Sequence, residues 1–499
     1  MHDATDPLIA AVSSTDGQAV FPLRVRTLRC AVLSCLALCI VSFCDGLKAQ
    51  TLPRPRPSPA NQKIRLIVLT DIGGDPDDEQ SMVRLLLYAN EFDIEGLIAA
   101  AHPYKDGPPV VRHDLIEERV RAYGEVRPNL LRHKQGYPSM QYLLDRIKKG
   151  HPDALNTEHA KDDVWRSMGQ GKDTEGSEWI ISVIDKPDPR PVWFSIWGGP
   201  NELAQAIWKV SKTRTQAELA AFKAKIRVHA CGDQDNTGFW LEKNHPDIFW
   251  LRNGLENWQE PYDKQMIRGM YQLGDQSLMS VEWMNTNVRT NHGPLGALYP
   301  PKTWSPPNNA MKEGDTPTWF SLVPNGLGDP MEPTWGSWGG RFVKGPVRYE
   351  DAEDTLWGIT NERVCIARWR PHFQADLQAR MDWCAAMLFR EANHEPVAKV
   401  DGPLKPKVAP GTVVNLSAVG SSDPDGNTLS YDWYFYKEPS GYKGDLSITG
   451  SSSQQASFRT PNVDSAQSVH IVLTVTDNGT PNLSRYQRVV VTVAPAAAK

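Results

Sequence analysis

The chain has 499 residues, too many for one small core, and its 40% hydrophobic and 23% charged residues fit an ordinary globular protein of two or three domains. Its net charge of −5 removes any general electrostatic case for binding nucleic acid. Sites rich in carboxylates would favour a metal ion or a neutral, hydroxyl-rich ligand.

The first 50 residues read as a signal peptide with a polar extension. Arg24, Arg26 and Arg29 precede an apolar run from Cys30 to Cys44, and Ala49 offers a cleavage point before Gln50. The run is shorter than the roughly 20 residues a membrane span needs. An uncleaved signal anchor is the rival reading, and Phe43 before Cys44 fits a lipobox poorly. The implied location is secreted or periplasmic, with no membrane contact beyond the export signal. Residues 51–61 are Pro-rich and form a stiff linker.

Residues 62–393 alternate strand-like and helix-like segments. A mostly apolar strand over residues 64–69 leads through a loop to a helix over 79–90, where Met82, Leu85, Leu86 and Ala89 recur at helical spacing. The next strand covers residues 94–100. Further strands are predicted at 192–197 and 226–230, with a helix at 201–210. The fold class is therefore α/β, a mostly parallel sheet flanked by helices. From about residue 394 to 499 the helical signals stop. Short alternating runs at 413–418, 430–436, 456–459, 469–476 and 488–493, separated by turns, describe an Ig-like β-sandwich.

The stretch LTDIGGDPDDEQSM, residues 69–82, carries the most chemistry. It lies at the carboxyl end of the first strand, where open α/β sheets bind ligands. Asp71, Asp75, Asp77 and Asp78 crowd into it. Gly73 and Gly74 allow a tight fold, and Pro76 keeps Asp75 out of helical geometry. Such charges repel unless compensated, and a hard cation such as Ca²⁺ takes six to eight oxygen ligands. The bland alternative is an aspartate capping a helix. No dinucleotide, P-loop or EF-hand pattern is present.

The loop resembles the Asp-x-Gly-x-Asp-Asp signature of inosine–uridine-preferring nucleoside hydrolases. It is more similar to the nucleoside-hydrolase-like domain of a bacterial family of cellulose-binding proteins. WGGPNELAQA (197–206), GDQDNTG (232–238), NHGPLGALYP (291–300), EGDTPTWF (313–320) and PNGLGDP with WGSWGG (324–340) support that likeness, and the Ig-like tail also fits. The resemblance implies calcium held by Asp71, Asp78, Asp315 and the backbone carbonyl of Trp197, with Asp77 on the sugar hydroxyls. It implies hydrolysis of an N- or O-glycosidic bond by water, as in inverting chemistry, with Asp71 taking the water's proton. His292 is the candidate acid for the leaving group, with His229 and His245 behind it.

Two departures stand out. Leu69 occupies a position where nucleoside hydrolases usually carry another Asp, and the loop is two residues longer. The extra length inserts Asp75 on the substrate side. Asp233, Asp235 and Asn236 follow another strand, where they bind sugar hydroxyls or make a turn. Asn201 orients a ligand or caps its helix. Glu282 reads as a surface charge.

Of the 17 Trp residues, Trp304, Trp319, Trp335 and Trp338 stand in Gly- and Pro-rich loops, where stacking on a sugar competes with core packing. Among the cysteines beyond the N-terminal run, Cys231, Cys365 and Cys384, a Cys365–Cys384 pair is the one pairing considered. Three readings follow: a calcium-dependent glycosyl hydrolase, a non-catalytic carbohydrate or polysaccharide binder, or a chain whose tail alone makes the outer contacts. The sequence leaves the substrate and the oligomeric state open.

Overall fold

The apolar run IRLIVLT forms β1 (Ile64–Thr70), buried throughout after Ile64, as a strand covered on both faces should be. The computed structural model describes residues 62–101, 110–153, 164–254 and 265–495. The predicted signal peptide and the Pro-rich stretch lie outside the described residues.

In chain order, β1 leads to α1 (Asp77–Leu87), β2 (Phe92–Ala99), α2 (His113–His133), β3 (Ile147–Lys149) and α3 (Glu175–Asp185). Then come β4 (Val192–Ile196), α4 (Asn201–Thr213), α5 (Gln216–Ala224), β5 (Ile226–Cys231), α6 (Thr237–Asn244) and β6 (Phe249–Asn253). After a loop-rich stretch follow β7 (Phe342–Lys344), β8 (Tyr349–Asp351) and α7 (Arg370–Ala385). The strands form one sheet in the order β3-β2-β1-β4-β5-β6-β8-β7. All neighbours are parallel except β7 against β8. One apolar layer packs on each face: Leu66, Val68 and Leu85 lie in one cluster, Ile67, Leu69 and Ile207 in the other.

Strand order reverses between β1 and β4, which are paired from Arg65–Val192 to Leu69–Ile196. The crevice outside their carboxyl ends is the switch point where such sheets take ligands. The loop after β1 and the turn after β4 both open there.

Helix α1 differs from its predicted span at both ends. Pro76 occupies the N-cap, so Asp77, Asp78 and Glu79 make up the first turn, where the helix dipole favours negative charge. It closes at Leu87, with the Tyr88 amide donating back to the Leu85 carbonyl.

The tail holds β9 (Lys407–Val408), β10 (Val413–Ser417), β11 (Leu429–Phe435), β12 (Gln455–Arg459), β13 (Gln467–Asp477) and β14 (Ser484–Val493). One sheet has the order β9-β14-β13-β11, and β10 pairs with β12. Leu416, Trp433, Phe458 and Val491 fill the space between them. This sandwich does not hang free. Tyr436, Val472 and Tyr486 are buried in the same cluster as the main sheet's Leu66 and Val68.

Two expectations need correction. Cys231, Cys365 and Cys384 are all buried free thiols. Cys365 instead donates to the Ala352 carbonyl (3.0 Å) and Cys384 to that of Arg380 (3.5 Å). Of the loop tryptophans, Trp319 and Trp338 are fully buried and belong to the core. Trp335 packs edge-on against His470 of the tail. Trp304 alone of the four is widely exposed, at 67%. No helix among the described residues is long and apolar enough to cross a membrane.

Candidate functional site

The chain turns sharply after β1. The Gly74 amide donates to the Asp71 carbonyl (3.2 Å), and Gly73 takes φ +95°, a left-handed backbone that glycine tolerates. The Thr70 hydroxyl accepts from the Ile72 amide (3.1 Å) and donates to Asp78 Oδ1 (2.5 Å). Strand end, loop and helix start are thereby tied through one side chain.

Asp315 reaches the same place from far along the chain, and α1 brings it there. The Gln80 amide donates to the carbonyls of Ala310 (2.8 Å) and Pro300 (3.2 Å), and its oxygen accepts from the Lys312 amide (2.8 Å). Arg84, fully buried, ion-pairs with Glu313 and donates to Gln374 (2.7 Å). Gln80 and Arg84 are both fully buried and stand four residues apart on α1. That spacing marks a shared face in the sequence but not its partners.

Asp77, Asp78 and Asp315 are buried, and each offers an oxygen within 4.8 Å of the others. Asp71 Oδ1 and Asp315 Oδ2 are buried without any hydrogen-bond partner. Burial, then the neighbouring Asp77 charge, pushes Asp71 up to about 7. Burial, then Asp315, holds Asp78 well above the usual carboxylate range. Asp315 is raised likewise by burial, Asp77 and Asp71. Among the described residues Lys312 brings a cation to them. The Lys312 ammonium ion-pairs with Asp75 and sits 2.9 Å from Asp77 Oδ2.

The turn after β4 closes the other side. A Cβ on Gly198 would come within 2.6 Å of Asp71 Cγ, so the two backbones approach as only glycine permits. The Trp197 carbonyl accepts from Gln234 Nε2 (2.6 Å), while its indole is buried and donates to Ser195 (2.8 Å). Asn201 opens α4. Its amide nitrogen donates to Glu202 (3.0 Å), and its Oδ1 is buried without a partner.

Other residues singled out in the sequence have internal work. Asp235 accepts from the Thr237 amide and hydroxyl (2.9 and 2.6 Å) and the Asn201 amide (3.0 Å), so both its oxygens hold backbone. Asp233 Oδ2 accepts from the Phe239 amide (2.8 Å), while its Oδ1 is buried and unpartnered. Asn236 is buried at the N-cap of α6 with φ +63°. For this group the geometry favours the turn, with Asp233 Oδ1 left over.

The histidines are engaged elsewhere. His292 Nε2 lies 3.0 Å from Asp382 on α7, and the following Gly293 packs against Val126 of α2. His229 is held between Asn253 (2.8 Å) and Ser321 (3.1 Å), and burial drops it to about 4. His245 meets Trp240 edge-on. Glu282 is exposed on a short helix.

The donor set suits a hard cation: it is all oxygen, mostly carboxylate, with buried oxygens lacking partners. The same oxygens can accept hydrogen bonds from vicinal hydroxyls.

Comparison with known proteins agrees with this architecture. The family model described as "Cellulose-binding Sde182, nucleoside hydrolase-like domain" matches residues 65–342, and that for the "Cellulose-binding protein Sde0182, C-terminal domain" matches residues 413–493. A solved structure of a nucleoside hydrolase-related hypothetical protein from Saccharophagus degradans, described as associated with carbohydrate metabolism, is 36% identical. The alignment covers 87% of this chain and 100% of that one, with a TM-score of 0.69. A PKD domain from the KIAA 1837 protein aligns at 22% identity over 21% of this chain and 92% of its own, with a TM-score of 0.17. The effector protein XOO4466 aligns at 9% identity over 66% of this chain and 95% of its own, with a TM-score of 0.35. No curated protein matches. With a nucleoside-hydrolase-like sheet at its front and the matching sandwich behind it, the chain belongs to the family of cellulose-binding Sde182 proteins.

Proposed function

We propose that the chain is an exported, calcium-dependent glycosyl hydrolase of nucleoside-hydrolase type, acting on a neutral sugar bound at the switch point. The observation that carries the reading is the buried carboxylate group of Asp77, Asp78 and Asp315 beside Asp71, with oxygens of Asp71 and Asp315 unpartnered. Asp71, Asp78, Asp315 and the Trp197 carbonyl would hold the ion, and Asp77 would accept from sugar hydroxyls. Calcium held there supplies charge compensation and lowers the pKa of nearby water. Asp71 Oδ1, buried without a hydrogen-bond partner, would take the proton of the attacking water. Gly198 keeps that carboxylate close under the β4 turn. Asn201 Oδ1 and Asp233 Oδ1 are further acceptors for hydroxyls.

Two tests separate the parts. Asp71→Ala is expected to abolish calcium uptake in calorimetry and turnover of a panel of nucleosides and oligosaccharides. A variant that keeps wild-type turnover ends the hydrolase reading. Export is checked by the N-terminus of the mature chain, expected at Gln50.

A second reading, carbohydrate binding without turnover, is favoured by the histidines. His292 is committed to Asp382, and His229 to Asn253 and Ser321. Neither is presented to a leaving group. That reading expects retention on insoluble cellulose with no sugar released, and the family's name, cellulose-binding, supports it. Release of base or reducing sugar, lost in chelator, decides for the enzyme.

A further inference from the structure

Five carboxylates, Asp71, Asp75, Asp77, Asp78 and Asp315, meet around one crevice, and among the described residues one side-chain cation, Lys312, makes ion pairs with two of them, Asp75 and Asp77. Lys312 is placed by its backbone, whose amide donates to Gln80 of α1, and its side chain is largely buried. Its ammonium joins two residues of different character. Asp75 comes from the lengthened part of the loop. Asp77 belongs to the three-carboxylate group. Asp71 Oδ1 and Asp315 Oδ2, both buried without a hydrogen-bond partner, belong to residues outside its ion pairs.

The ammonium therefore divides the site. One half, Asp75 and Asp77, carries its own counter-ion. The other, Asp71, Asp78 and Asp315, has none among the ion pairs of the described residues. Ammonium and divalent cation compete for Asp77, because a carboxylate oxygen bonded to Nζ is a poor ligand for a second cation. The backbone at Gly314 passes close to Asp77: a Cβ there would lie 2.8 Å from Asp77 Oδ2, so glycine keeps that space open for the carboxylate.

We propose that Lys312 is a built-in counter-ion of the acidic crevice, which holds Asp75 and Asp77 in place without metal and keeps Asp77 out of the cation's shell, free to receive a hydroxyl-bearing ligand. The second half of this statement rests on the calcium reading above; the first does not. Lys312 acts through the aspartates and is a positioning residue.

The experiment compares the purified full-length wild type, Lys312→Met and the double variant Asp75→Asn/Lys312→Met, each melted in chelator and in calcium, with calcium titrated by calorimetry. In chelator Lys312→Met is expected to melt about 5 °C or more below wild type, because it leaves buried carboxylates uncompensated. The double variant should regain much of that loss. Calcium should raise the melting temperature of Lys312→Met more than that of wild type, and bind it roughly tenfold more tightly, equivalent to about 1.4 kcal/mol. Should Lys312→Met be insoluble, solubility of the double variant makes the same point, and insolubility of both overturns the proposal. Equal melting of wild type and Lys312→Met in chelator also overturns it. A destabilised Lys312→Met, with no calcium taken up by either protein, sinks the calcium reading and leaves the counter-ion standing.

Discussion

Among the described residues Glu202 makes no ion pair. It is fully buried at the first turn of α4 and accepts from the His151 amide (2.7 Å), Asn201 Nδ2 (3.0 Å), the Thr174 hydroxyl and the Ser177 amide. Burial outweighs these donors and pushes its carboxyl up to about 7. A raised carboxyl contributes stability that is full below its unfolded value and lost as pH rises through the folded one. The window therefore runs from the ordinary 4.5 to about 7. Glu202→Gln turns an amide toward donors and is expected to cost about 1–3 kcal/mol in acid. The gap from wild type in urea melts should then narrow as the pH rises from 4.5 to about 7, and a gap independent of pH contradicts this account. Asp71, Asp77 and Asp78 are legible in the sequence because one short loop holds them. Lys312, Gln80 and Arg84 are not, because each acts on a partner more than 200 residues away.

At the level of elements, the β1 loop and the β4 turn make the site by touching. The sequence marks both as strand ends, and their predicted strands and helices recur with shifts of a few residues. It does not show how closely they approach. Neither Gly198 nor Gly199 has a positive φ, so what each protects is space rather than backbone freedom. A Cβ on Gly199 would lie 1.9 Å from Asp235 Oδ2, the atom that receives the Asn201 amide. Gly199→Ala is thus an overpacking change, expected to cost about 1–3 kcal/mol in denaturant melts. Gly198→Ala presses on the Asp71 carboxylate instead. It is expected to weaken calcium binding by about tenfold or more, with circular dichroism unchanged. Wild-type affinity in Gly198→Ala would show that Asp71 is not a ligand. The tryptophans carry the matching lesson. Trp319 and Trp338 look like loop aromatics in sequence, yet distant segments bury them, Trp338 against Tyr486 of the tail.

For the whole molecule, the question is whether the tail is an appendage. Short alternating strands after residue 394 suggest a separate sandwich, and its independent core supports that much. Its other contacts do not fit a spacer. Tyr436 donates to Asp354 (2.5 Å), Trp338 donates to Tyr486 (3.1 Å), and Arg488 donates to the Leu327 carbonyl (2.8 Å). Along the same seam Arg485 pairs with Asp376 (2.7 Å) and Glu395 (3.2 Å), and Lys134 with Glu91 (2.9 Å) and Glu395. Deleting residues 395–499 would expose Trp338 and Trp369 and leave Asp376 without Arg485. The truncated chain is expected to lose near-ultraviolet dichroism and bind a hydrophobic dye, whereas an appendage would leave a folded domain. Acid offers a gentler probe. Despite burial, Lys134 and Arg380 hold Glu91 down to about 2. A depressed carboxyl gives stability that is present above its ordinary value of 4.5 and lost as pH falls through the folded value. The main domain, at the Lys134 end of the seam, should therefore lose stability between those limits, opposite in sign to Glu202. If the two parts are one cooperative unit, fluorescence and far-ultraviolet melts stay coincident while both fall. Two separated transitions at neutral pH would mean that the buried tyrosines do not couple them.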